Sequence, residues 1–324
     1  MELYQHTVKK KVSFRGIGLH SGEPVTLTVN PAPANSGIRF SRTDISLRAT
    51  LPAFMTRVVD TQLATTLASD EFVVSTTEHM LAALSGLGID NALIELDGNE
   101  VPIMDGSAGP FVHILKRCGR RRQKACKQML KITDELLYQD GDKSIRVLPY
   151  DGLRITCNID FNHEFLKRQS YSIELSPEKF MKEIASARTF GFMGQVEKLR
   201  ENGLALGGSL ENAIVIDQYG VLNKEGLRFA DEFVRHKILD LIGDLALLGC
   251  PLVGHVIASK TGHSQHLGFM KKLARHPDCW EFVKLEKNGD HTVLDKMITT
   301  TKAASNIIMP FLLPPAIAGE ACPA

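Results

Sequence analysis

The segment RFADEFVRHKILDLIGDLALLG, from Arg228 to Gly249, restricts the fold more than any other stretch of this chain. At 100° per residue, Val234, Ile238, Leu241, Leu245 and Leu248 fall within about 80° of one another. Leu239, Ile242 and Ala246 widen the apolar arc to about half the circumference. Such a helix is covered on more than one side, so further layers must wrap around it. Yet His236, Asp240 and Asp244 recur on it at i, i+4 and i+8 and share a narrow face. Aspartate is a poor helix former, so two of them in a leucine-rich helix need a reason. A His and an Asp one turn apart can offer a nitrogen and an oxygen to one cation. The same row can also be an ion pair, or a His held by two carboxylates. Spacing alone leaves these open.

With 324 residues, two domains are expected, each with its own core. The 38 Lys+Arg balance 37 Asp+Glu, and a charge of +1 argues against a dedicated nucleic-acid binder. The N-terminus MELYQHTVKKKVSF lacks the apolar core of a secretory signal. IIMPFLLPPAIAG near the C-terminus is too short to cross a bilayer and is broken by Pro310, Pro314 and Pro315. Six scattered cysteines, with no CxxC pair, read as free thiols in a reducing cytoplasm.

Three zones follow one another. In the first, VTLTVNPA alternates with period two like a half-buried strand. STTEHMLAALSGLGI predicts a helix from Ser75 to the glycines Gly86 and Gly88. The second zone, Lys116–Lys131, carries eight basic residues and no acidic one. It reads as a solvated interdomain linker or as an anion-binding patch; aromatic residues that would stack on bases are absent. In the third zone SIRVLPY and LRITCNIDF are strand-like, and SPEKFMKEIASARTF is helix-like with Pro177 in its first turn. Both halves mix strands and helices. The expected units are residues 1–124 and 130–300, followed by a flexible tail over 301–324.

Two short segments add chemistry. Glu78 and His79 of STTEHM are adjacent, so on a helix they point about 100° apart. One can serve as a ligand and the other as a base. Alternatively, Ser75-x-x-Glu78 is a capping box in which Glu78 only bonds back to the Ser75 backbone. His263 of SKTGHSQH follows a glycine and is expected in a loop. GIGLHSG resembles a nucleotide-binding glycine loop, but its spacing is GxGxxxG and no helix is expected after it, so a tight turn is the better reading.

Taken together, GIGLHSG, STTEHMLAALSGLGIDN, VPIMDGSAGPF, ARTFGFM, GLALGGS, VLNKEGLRFADEFVRHKILDLIGDLALLG and SKTGHSQH occur in an order that resembles the UDP-3-O-acyl-N-acetylglucosamine deacetylases. These are zinc amidases of Gram-negative lipid A synthesis. The resemblance spans about residues 1–300. It implies an α+β fold of two domains of similar topology, each a sheet-plus-helix sandwich, with the helix layers facing each other. It implies one Zn2+ per chain on His79, His236 and Asp240, with Glu78 as general base on water in the open fourth position. Thr189 would stabilise the oxyanion, and His263, oriented by Asp244, would be the general acid. Lys237 would sit beside the site. Phe192, Met193, Val196, Ala205, Gly208, Ser209, Leu210 and Val215 would line an acyl-chain passage, and Phe190 would be a further substrate contact. Lys143, Phe161 and Lys260 would touch the UDP or sugar portion. The implied partner is the UDP-acylated amino sugar alone, handled by a cytoplasmic monomer with no transmembrane segment and no nucleic acid. Two other readings are a related metal-dependent amidase and a non-catalytic binding module on the same scaffold.

Overall fold

The computed structural model describes residues 2–46, 49–163, 166, 168–284 and 298–299. The expected tail at 301–324, and Cys322 within it, lie outside the described residues. The first half runs β1 (Tyr4–Val8), β2 (Val12–Ile17), β3 (Pro24–Pro31), β4 (Ile38–Arg42) and β5 (Leu51–Pro52). A small three-stranded patch follows, β6 (Val58–Asp60), β7 (Thr66–Ala68) and β8 (Val73–Val74). Then come helix α1 (Glu78–Gly86), β9 (Ala92–Leu96) and helix α2 (Gly109–Cys118).

The main sheet of this half has the order β2-β3-β9-β4-β5. Its pairs are antiparallel except β4 with β9. The period-two reading of VTLTVNPA holds: Val25, Leu27 and Val29 are buried and the threonines between them are half-exposed. GIGLHSG turns tightly, with Gly22 at φ 71° and its N–H donating to the Gly18 carbonyl.

The basic stretch is not a solvated linker. Its first three residues close α2, and Arg120–Cys126 form β10, which pairs antiparallel with β1. Gln128–Ile132 form β11, which pairs with strands of the second half. Exposed charges mimic a linker in the sequence, but strand pairing satisfies this backbone.

The second half continues with β12 (Leu136–Asp140), β13 (Lys143–Leu148), β14 (Leu153–Ile159) and β15 (Gln169–Glu174). Helix α3 (Pro177–Lys179) runs on as a π turn over Phe180–Ile184, and the Ser176 hydroxyl caps it by accepting from the Lys179 N–H. Next come β16 (Phe190–Phe192), α4 (Met193–Glu201), β17 (Ile214–Asp217), β18 (Gly220–Val221), α5 (Glu232–Leu245), β19 (Leu252–Ser259), α6 (His263–Ala274), β20 (Trp280–Lys284) and β21 (Ile298–Thr299). The large sheet is ordered β12-β13-β19-β11-β20-β21, with β14 and β15 attached through β19. β16, β17 and β18 form a separate small sheet.

The result is α+β, two sheet-plus-helix layers whose helices meet. Helix α5 is buried on almost every side, as its wide apolar arc predicts. It packs against β14 on one side and directly against α1 and α6 on others. Its second aspartate is buried too, so the row His236, Asp240, Asp244 faces protein and not solvent. All five described cysteines are free. Among the described residues no helix is long and apolar enough to cross a membrane.

Candidate active site

The site forms where α1 of the first half crosses α5 of the second. Gly243 permits the crossing. A Cβ there would lie 2.1 Å from the Glu78 carbonyl oxygen and 3.0 Å from the Glu78 Cα. Those are backbone atoms, so no rotamer change relieves the contact. The close approach brings Glu78 and His79 onto the polar face of α5.

Helix α1 starts at Glu78 and not at Ser75. Thr76 takes φ 56°, in the left-handed region, and breaks the helical run before it begins. The Ser75 N–H and hydroxyl both donate to the Asn99 carbonyl. The capping box therefore does not form. Glu78 Oε2 instead accepts from the Thr65 N–H at 3.0 Å. Burial pushes the Glu78 carboxyl above the usual carboxylate range, against the opposing pull of His263 and His79.

His79 Nε2 lies 3.7 Å from Asp240 Oδ1, and His236 Nε2 lies 3.3 Å from the same oxygen. All three side chains are buried. One donor atom from each lies within 4.8 Å of the others, so the trio could hold a metal ion. Around a tetrahedral ion with bonds near 2.0–2.2 Å, ligand atoms stand about 3.3–3.6 Å apart, which the observed separations match closely. The protonation states suit a cation as well. His236 Nδ1 donates to the Ala187 carbonyl at 3.0 Å, which leaves Nε2 with a free lone pair. Burial holds the His236 pKa down to about 3, so the imidazole is neutral. Burial opposes ionisation of Asp240, but the Lys237 ammonium beside it outweighs it and keeps the carboxyl well below its usual range. Lys237 Nζ donates to Asp240 Oδ2 at 2.7 Å. Burial alone would lower the Lys237 pKa, but this carboxylate raises it.

A second cluster lies one turn further along α5. Asp244 Oδ2 accepts from His263 Nδ1 at 2.7 Å and from His266 Nδ1 at 2.6 Å, while Oδ1 accepts from the Thr65 hydroxyl at 2.6 Å. His263 is the first residue of α6 and not a loop residue. Burial would lower its pKa, but Asp244 overrides this and lifts it to about 10. His263 therefore carries a proton on both nitrogens at neutral pH. His266 feels the same carboxylate, yet burial wins and its pKa falls. Here the Asp–His pairs form a hydrogen-bonded proton store beside the candidate metal site.

Thr189 is held by its backbone between the halves. Its N–H donates to the Gly106 carbonyl and its carbonyl accepts from the Ile214 N–H, both at 2.8 Å. Neighbouring Arg188 is buried, and its N–H and Nε both donate to Glu232 Oε1, at 3.0 and 2.9 Å. Glu232 lies in the first turn of α5, and its Oε2 accepts from the Arg228 N–H at 2.6 Å. The Arg188–Glu232 pair thus ties the Ala187–Thr189 segment to the helix that carries His236 and Asp240.

The expected substrate contacts fall in three places. Phe161, Phe192 and Met193 line a groove of about 580 Å³ together with Asn162, His163 and Gln195. The Phe190 ring stacks edge-on with Phe161 at 5.7 Å and faces the His236 ring at 6.4 Å, joining this groove to the candidate metal site. Lys143, Lys260 and Phe161 gather at one end of β13, β14 and β19, where Lys260 Nζ stands 3.2 Å from both Asp142 and Asp160. Gly208 and Ser209 lie elsewhere, in the turn after α4, where Leu206 and Gly207 dock on the carbonyls of His20 and Leu19. Val196, Ala205, Leu210 and Val215 are likewise not among the groove's lining residues.

Sequence reasoning missed Thr65, His266, Glu232 and Arg188. Only His266 carried a local signal, one helical turn after His263. Thr65 stands 179 positions from the aspartate it bonds, so nothing local marks it.

Residues 5–275 match the family model described as UDP-3-O-acyl N-acetylglycosamine deacetylase. The chain is 51% identical to the UDP-3-O-acyl-N-acetylglucosamine deacetylase of Myxococcus xanthus over 279 residues, 86% of this chain and 89% of the relative. It is 49% identical to that of Shewanella halifaxensis over 294 residues, 90% of this chain and 96% of the relative. It is 50% identical to that of Pseudomonas entomophila over 284 residues, covering 87% and 94%.

Proposed function

The chain belongs to the UDP-3-O-acyl N-acetylglycosamine deacetylase family, and from that premise we propose how its residues carry out the reaction. It is an amidohydrolase of lipid A biosynthesis. Its substrate is a UDP-3-O-acyl-N-acetylglucosamine, and the products are acetate and the free 2-amine.

His79, His236 and Asp240 would hold one zinc ion. When bound, zinc supplies Lewis acidity, which acidifies water and polarises a carbonyl. Glu78, with its raised pKa, accepts the proton of the attacking water. The Thr189 hydroxyl donates toward the oxygen that gains charge as the acetamide carbonyl becomes tetrahedral. Lys237 adds a fixed positive charge beside Asp240 and favours that same oxyanion. His263 gives its Nε2 proton to the leaving amine nitrogen, while Asp244 holds the ring and stabilises its charged form. Phe192 and Met193 would receive the apolar part of the substrate, Phe161 its UDP or sugar portion, and Lys143 and Lys260 its phosphates.

The observation that carries this reading is one geometry. A histidine from the first half stands 3.7 Å from an aspartate of the second, which a histidine one helical turn away approaches to 3.3 Å, beside a buried carboxylate and a protonated imidazole. The test is release of acetate from the UDP-acylated sugar before and after chelation, with added zinc as rescue. Chelation should abolish release and zinc restore it. Release that is unaffected by complete removal of metal would overturn the reading.

A further inference from the structure

Seven exposed cations with no part in the reaction gather on one edge of the first half. Lys9, Lys10 and Lys11 form the turn between β1 and β2, Lys116 and Arg117 close α2, and Arg121 and Lys124 lie on β10. The backbone holds these segments together. The Lys9 N–H donates to the Gly119 carbonyl at 2.9 Å, and the Cys118 thiol donates to the Lys10 carbonyl at 3.0 Å. Pairing of β1 with β10 sets Val8 opposite Arg120 and Thr7 opposite Arg121. Residues 3–22 and 106–133 contain no Asp or Glu. The nearby carboxylates of Glu2 and Asp90 are engaged by Arg120 and Lys127, at 2.8 and 3.0 Å. Among the described residues, none of the seven has an ion-pair partner. Like charges held this close repel, so the arrangement is stabilised only when an external anion covers it.

We propose that this face docks on an anionic lipid surface. A leaflet of negative headgroups attracts basic side chains, each adding about five-fold to the binding constant. Single-stranded nucleic acid fits poorly, because it needs aromatic platforms, and the Tyr4 ring on β1 is covered by the Arg122 guanidinium at 4.7 Å. Lipid is also where an acylated substrate concentrates, a point that rests on the function proposed above. The docking itself is measured without turnover, so its failure and that of the function are distinguishable.

The experiment uses the full chain and vesicles of phosphatidylcholine, alone or with about a quarter phosphatidylglycerol. Co-sedimentation at low salt should occur only with the anionic vesicles and fade as salt shortens the Debye length. Replacing Lys9, Lys10, Lys116 and Arg117 with Gln should weaken binding by about five-fold per charge. The melting temperature and the activity on dispersed substrate should stay unchanged. Absence of binding to anionic vesicles would overturn the proposal, as would binding that survives the four substitutions. Equal binding to a short single-stranded RNA, lost in the same variant, would assign the face to nucleic acid and also overturn it.

Discussion

Gly243→Ala tests the link between packing and chemistry with one added methyl group. Its Cβ would stand 2.1 Å from the Glu78 carbonyl oxygen, and contacts under 3.0 Å essentially never occur. The two helices must therefore separate by about 0.9 Å or more, because the obstacle is backbone. His79 and Glu78 ride on α1, while His236, Asp240 and Asp244 ride on α5. The separation opens the His79 to Asp240 distance beyond its present 3.7 Å and displaces the base. Overpacking of this kind costs about 1–3 kcal/mol, and a misplacement near 1 Å can cost about 100-fold in rate. At about 2–4 °C per kcal/mol, the melting temperature should fall by roughly 2–12 °C. The assay compares kcat/KM, metal affinity and melting of Gly243→Ala with the parent. A loss of about 100-fold in kcat/KM, with weaker metal retention and a chain still folded at assay temperature, is the expected result. A variant within twofold in rate, with unchanged metal affinity, would refute the reasoning.

Two other outcomes follow from the same contacts. In the metal-free protein, NMR titration of the His263 ring should give a midpoint near 10. A folded-state value above the unfolded one stabilises the fold fully below pH 6.5, and that stability is lost as pH rises through about 10. Asp244→Asn should bring the midpoint down toward 6.5 and remove that dependence; a parent midpoint already near 6.5 would contradict the pairing. Glu232→Ala strips the acceptor of the Arg188 N–H and Nε but leaves Glu225 and Gly226 in place, so the loss should be about 3 kcal/mol, at the low end for a broken buried pair. A melting temperature unchanged within a degree or two would show that this pair does not anchor the Ala187–Thr189 segment.

How much of this was legible in the sequence differs element by element. The breadth of the apolar arc on α5 announces a central helix, because an arc that wide must be covered by more than one layer. Alternation in period two announces β3, β13 and β14. Ser75-x-x-Glu78 has the letters of a capping box and predicts a helix start at Ser75, while Thr76 takes a left-handed turn that composition does not reveal and α1 starts at Glu78. His263 was expected in a loop because Gly262 precedes it, yet that glycine serves as the helix N-cap. Spacing showed that His236 and Asp240 could share an ion but not that His79 joins them. That meeting depends on Gly243, whose role is a contact between elements distant in sequence. Thr65 and Glu232 were invisible for a related reason: a carboxylate or hydroxyl shows its partner only after the chain has folded.

The central claim is that His79, His236 and Asp240 hold the metal while Glu78 moves the proton. Measuring bound metal and acetate release together in the parent, Glu78→Gln and Asp240→Ala separates the two roles. The account predicts about one zinc per chain in the parent and in Glu78→Gln, with release in Glu78→Gln reduced by about 100-fold or more. It predicts that Asp240→Ala loses both metal and activity. Full metal occupancy with parental affinity in Asp240→Ala, or parental activity in Glu78→Gln, would contradict it.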